Sequence, residues 1–123
     1  MYEIFVERDF AAAHYLRDYP GNCEHLHGHN WTVRVYVHAG HLNDIEVGID
    51  FRDLRQAVDN VLKELDHGNL NEHPAFRDRN PSSENIASYI YARVKQEIKD
   101  FRGVAIHRVT VCETSRTGVS YWE

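Results

Sequence analysis

Residues 2–7 alternate, with Tyr2, Ile4 and Val6 set against Glu3, Phe5 and Glu7, and residues 31–38 repeat the pattern, with Trp31, Val33, Val35 and Val37 set against Thr32, Arg34, Tyr36 and His38. Side chains of an extended chain point alternately to its two faces, so this period predicts two half-buried strands. From Asp50 the period lengthens. Phe51, Leu54, Val58, Val61, Leu62 and Leu65 recur at helical spacing behind an Asp placed to cap the first turn, which predicts a helix of about four turns. After a polar loop rich in Asn, Pro and Arg, Ser82 or Ser83 is placed to cap a second helix with the apolar stripe Ile86, Ile90, Val94, Ile98, stopping at Gly103. Alternation returns over residues 104–112, and residues 118–122 give a short last strand.

The order ββααββ predicts an α+β fold: a four-stranded antiparallel sheet with both helices on one face. No repeat and no Gly/Ser- or Pro-rich linker divides the 123 residues, a common length for one domain, so a single domain over residues 1–123 is expected. Such a sheet has two open edges. Pairing between copies of the chain would cover them, which argues for a homo-oligomer.

Composition changes this picture little: 42% hydrophobic and 27% charged residues are ordinary for a globular protein. With a net charge of −5 and scattered basic residues, the chain lacks the basic stripe of a nucleic-acid binder. Residues 1–10 carry Glu3, Glu7, Arg8 and Asp9 and no long apolar run, so neither a signal peptide nor a membrane span is expected. Cys23 and Cys112 form no CxxC pair or disulfide framework, which points to a reducing, cytoplasmic setting.

The unusual feature is nine histidines, four of them (His14, His25, His27 and His29) within sixteen residues. His27 and His29 lie two apart at the start of a predicted strand, so both imidazoles face one side and can meet one ion. A catalytic zinc takes three protein ligands and leaves a fourth position open, so one more is needed. Both His14 and His25 are candidates: His25 shares the parity of the pair, and His14 could meet it across the sheet. Cys23, four residues before His27, is close enough to share the site as base or nucleophile, although an isolated cysteine is usually an inert, buried residue. Asp66 and His67 follow the first helix, where a turn could let the carboxylate orient the imidazole. Glu113 ends the third predicted strand and would matter if it faced a ligand.

Cys23 with three residues before His27-Gly28-His29, together with Ala13-His14, Ile49-Asp50-Phe51, Leu65-Asp66-His67, Pro81-Ser82-Ser83-Glu84-Asn85 and Glu113-Thr114, resembles the 6-pyruvoyltetrahydropterin synthase family in order and spacing. The resemblance covers nearly the whole chain. Its cysteine-to-histidine gap looks most similar to the bacterial 6-carboxytetrahydropterin synthases, since the pyruvoyl-forming enzymes usually have a longer one.

The resemblance implies a T-fold whose subunits join their sheets into an oligomeric barrel with active sites between subunits. It implies zinc held by His14, His27 and His29, which sets His25 aside. Cys23 carries over as proton acceptor, with Asp66, His67 and Glu113 in proton relay and substrate anchoring. The implied reaction converts 7,8-dihydroneopterin triphosphate to 6-carboxytetrahydropterin, acetaldehyde and triphosphate, toward queuosine and other deazapurines. Pyruvoyl formation or another pterin side-chain cleavage is the nearest alternative, and a non-catalytic zinc-binding T-fold protein the alternative of another class. Glu113 would accept the pterin's paired N–H donors, and Ser82 and Ser83 could add hydroxyl or backbone contacts. For the triphosphate, Arg17, Arg77, Arg79 and Arg116 remain open.

Overall fold

The computed structural model describes residues 1–21 and 25–123. Two long strands, β1 (Tyr2–His14) and β2 (His27–Ala39), pair antiparallel without interruption, from Tyr2 opposite Ala39 to His14 opposite His27. Helix α1 (Phe51–Leu62) follows, then a two-residue strand β3 (Gly68–Asn69), two short 3-10 turns, helix α2 (Ser83–Glu97), and the antiparallel pair β4 (Val104–Thr114) and β5 (Thr117–Tyr121). The sheet order is β3-β1-β2-β4-β5.

The α+β architecture is as expected, with one correction: the sheet has five strands, not four, and is not purely antiparallel. β3 pairs parallel with Ala12 and Ala13 on the open edge of β1. Two residues are too few to carry an alternating pattern. The backbone is drawn there by hydrogen bonds just before it, from His67 N to Ala11 O (2.6 Å) and from Ala11 N to Asp66 Oδ1 (2.9 Å).

Each helix lays its apolar stripe on the same sheet face. Leu54, Val58 and Val61 from α1 and Ile86, Ile90 and Val94 from α2 are fully buried against Val33, Val35 and Val37 of β2 and Val109 and Val111 of β4. Each such side chain contributes about 1.5–3 kcal/mol. Asp50 caps α1 by accepting from Arg52 N, and Ser82 caps α2 by accepting from Asn85 N. The helices are shorter than expected. α1 ends at Leu62 and tightens into i→i−3 turns that still bury Leu65, while α2 ends at Glu97 and a turn carries the chain to Gly103 at φ 73°. Among the described residues, no helix is long and apolar enough to cross a membrane.

Candidate metal centre

Strand register builds the centre. His14 ends β1 directly opposite His27, and His29 lies opposite Ala12, so all three side chains fall on the helix-covered face at one end of the sheet. Their donor atoms lie within 4.8 Å of one another. His14 is 1% exposed, and its Nδ1 lies 2.7 Å from Pro81 O. A carbonyl can only accept, so Nδ1 carries the proton and Nε2 turns its lone pair into the cluster. The Nδ1 of His27 is fixed in the same way by His25 O at 2.7 Å. His25 thus supplies its backbone to the centre, and its ring is not among the converging donors.

The Nε2 atoms of His14 and His29 are buried without a hydrogen-bond partner. An unsatisfied buried polar atom is costly, and a cation satisfies both lone pairs at once. Burial lowers the His14 pKa, partly opposed by the bond to Pro81 and reinforced by neighbouring His27, which favours the neutral ring that metal ligation requires. Trp31, fully buried, closes the inner wall edge-on to His14 and His29 and donates Nε1 to Ala12 O. The donor set therefore suits a metal ion.

Glu113 occupies a bulge between Cys112 and Thr114 and faces this cluster, with Oε1 3.5 Å from His14 Nε2 and Oε2 3.9 Å from His29 Nε2. Of the other residues singled out from sequence, Asp66 and His67 form a pair at the outer edge of β1, with Asp66 Oδ2 2.8 Å from His67 Nδ1. The Ala11 amide, and next His67, hold the Asp66 carboxyl below its ordinary range. His67 has a φ of 59°, an 83% exposed side chain, and borders a shallow cleft of about 430 Å³ with Ala13, Gly28 and His29. No hydrogen bond or ion pair joins this pair to the three histidines among the described residues. The Ser82 hydroxyl is engaged as the α2 cap, and Ser83 is the first helical residue. Cys23 lies outside the described residues.

Sequence reasoning missed the framework around the site. Asn71 is buried and clasps Tyr15, accepting from its N and donating to its O; Asn80 does the same to Arg17. These amides act as one-residue strand partners for the segment leaving His14. The Asn content of the 69–80 loop was the available signal. Arg17, Arg77 and Arg79 border one pocket of about 230 Å³ with Asp18, Asp78 and Asn80, apart from Arg116.

Fold and site together define a two-layer α+β protein with a three-histidine centre at one end of its sheet. The sequence profile of the 6-pyruvoyl tetrahydropterin synthase family matches residues 3–123, and the chain belongs to that family. It is 36% identical over 128 residues to a 6-carboxy-5,6,7,8-tetrahydropterin synthase of Synechocystis, covering 99% of this chain and 94% of that one. It is also 36% identical over 118 residues to a dihydroneopterin monophosphate aldolase of Pyrococcus furiosus, covering 94% and 93%. The solved 6-pyruvoyl tetrahydropterin synthase of Caenorhabditis elegans superposes with a TM-score of 0.85 at 25% identity, covering 100% of this chain and 97% of that one.

Proposed function

We propose that this protein is a zinc-dependent lyase of pterin side chains, specifically a 6-carboxytetrahydropterin synthase acting on 7,8-dihydroneopterin triphosphate in the cytoplasm, toward queuosine and related deazapurines. The observation that carries the reading is the convergence of His14, His27 and His29, with two buried unpaired Nε2 atoms, beside the Glu113 carboxylate. The three histidines would hold zinc, the ion suited to a three-nitrogen set with an open position. When bound, it would supply Lewis acidity to side-chain oxygens and stabilise the negative charge left as a carbon-bound proton departs.

The chain's own residues divide the remaining work. Cys23, four residues before His27 in the sequence, takes the proton as thiolate. His67, held in one tautomer by Asp66, returns protons to intermediates and leaving groups, each such transfer being worth about a hundredfold to ten-thousandfold. Its exposure beside β3, the outermost strand of the sheet, fits a site completed by a second copy of the chain, in a homo-oligomer. Glu113 accepts the pterin's amino and ring N–H as a two-pronged pair. Ser82 and Ser83 lie next to Pro81, close enough in sequence to the His14 partner to add contacts to the ring.

The equal identity to an aldolase keeps retro-aldol cleavage as a second reading. The products separate them. Zinc-loaded protein given 7,8-dihydroneopterin triphosphate should release acetaldehyde and a carboxypterin, whereas an aldolase leaves a hydroxymethylpterin and a two-carbon aldehyde still carrying phosphate. Conversion without acetaldehyde rejects the synthase. Cys23→Ala should keep zinc and fold yet lose turnover; undiminished turnover removes Cys23 as the base.

A further inference from the structure

At the opposite end of the sheet, on the face turned away from the helices, Glu3, His38 and His107 bring three donor atoms within 4.8 Å of one another. Glu3 and His38 are direct partners in the β1–β2 register. His107 reaches them because of an irregularity in β4. Tyr36 pairs with Arg108 and Val37 with Ile106, so His107 is an extra, unpaired residue. Regular alternation would not place His107 and Arg108 on one face. The bulge re-aims His107 outward, where its ring stacks on His38 at 3.9 Å between centroids and 18° between planes.

The donors converge on one oxygen. Glu3 Oε2 is 2.9 Å from His38 Nε2 and 3.8 Å from His107 Nε2. The other oxygen, Oε1, faces Arg108 Nη2 at 3.8 Å, and that guanidinium lies over the Tyr36 ring at 4.0 Å. The arginine thus stands behind the carboxylate, as an outer partner orients a ligating one, and leaves Oε2 with the imidazoles. The three side chains are 32–42% exposed, so an ion can enter from solvent.

We propose that Glu3, His38 and His107 form a second binding site for a zinc-class divalent transition ion, tying β1, β2 and β4 together. Two imidazoles and one carboxylate suit such ions, and not magnesium or calcium, which prefer all-oxygen shells. His38 lies nine steps along β2 from His29, roughly 30 Å at ~3.3 Å per residue. The site is therefore independent of the three-histidine centre and of the reaction proposed for it.

The test is titration of the metal-stripped full chain with zinc, and separately with cobalt(II), followed by calorimetry and visible absorption. The expected result is one equivalent per chain that persists in His14→Ala and disappears in the double variant His38→Gln/His107→Gln. Circular dichroism checks that both variants are folded. Arg108→Ala should weaken that equivalent by about tenfold. The proposal is overturned if no equivalent depends on His38 and His107, or if their equivalent fills only at millimolar free zinc. Failure of the His14 centre to bind metal would leave this result unchanged.

Discussion

His14 and His25 both offered a third donor beside His27 and His29, and backbone carbonyls set the two apart in the structure. Pro81 O fixes the His14 ring so that Nε2 enters the cluster, whereas His25 contributes only its own carbonyl, to His27 Nδ1. Side-chain replacement removes the first role and leaves the second intact. Elemental analysis of purified variants should therefore show His14→Ala stripped of the centre's zinc and His25→Ala with undiminished zinc; the reverse pattern would exchange their assignments. The parity of His27 and His29 was legible because it needs only one strand. The pairing of His14 with His27 was not, since it depends on the register between two strands that lie twelve residues apart in sequence. Glu113 was legible as a strand-end carboxylate, but its approach to His14 depends on a bulge that leaves no periodic trace.

At the start of helix α2 one residue caps an element while standing next to the partner of a candidate ligand. Ser82 stands beside Pro81, the partner of His14, and its hydroxyl accepts from Asn85 N at 3.2 Å. Replacing a capping serine by alanine costs about 1 kcal/mol. Ser82→Ala should lower the free energy of unfolding by that amount, read as a lower urea midpoint at unchanged slope, and leave KM for the pterin unchanged, since the hydroxyl is spent on the cap and only the backbone is free to meet the ring; a raised KM at unchanged stability would instead place the hydroxyl on the substrate. Both helices could be read from sequence because burial on one face writes a 3.6-residue period over three or more turns. Their ends could not, because Leu65 and Ile98 remain buried beyond the regular helix and prolong the apolar stripe. β3 was invisible for the opposite reason, being two residues held by the hydrogen bonds of Asp66 and His67 to Ala11.

The architecture commits the molecule to burying an imidazole, and that links its stability to pH. Covered by Pro81 and Trp31, His14 has a pKa below the ordinary value of 6.5, mainly through desolvation. Between that lowered value and 6.5 the unfolded chain binds more protons than the folded one, so the stability of the metal-free protein rises with pH. It is correspondingly lost as pH falls from about 6.5 toward the folded-state value. An ion bound to the neutral rings competes with protons and adds binding free energy to the folded state, which moves the loss to lower pH. Thermal unfolding between pH 7.5 and 5 should show the stripped protein losing Tm on acidification and the zinc-loaded protein holding it further down. His14→Gln in the stripped state should flatten that slope, because glutamine takes up no proton in the range. An unchanged slope would assign the acid sensitivity to histidines outside the centre, and coincident curves with and without zinc would show that no metal-linked histidine is coupled to folding.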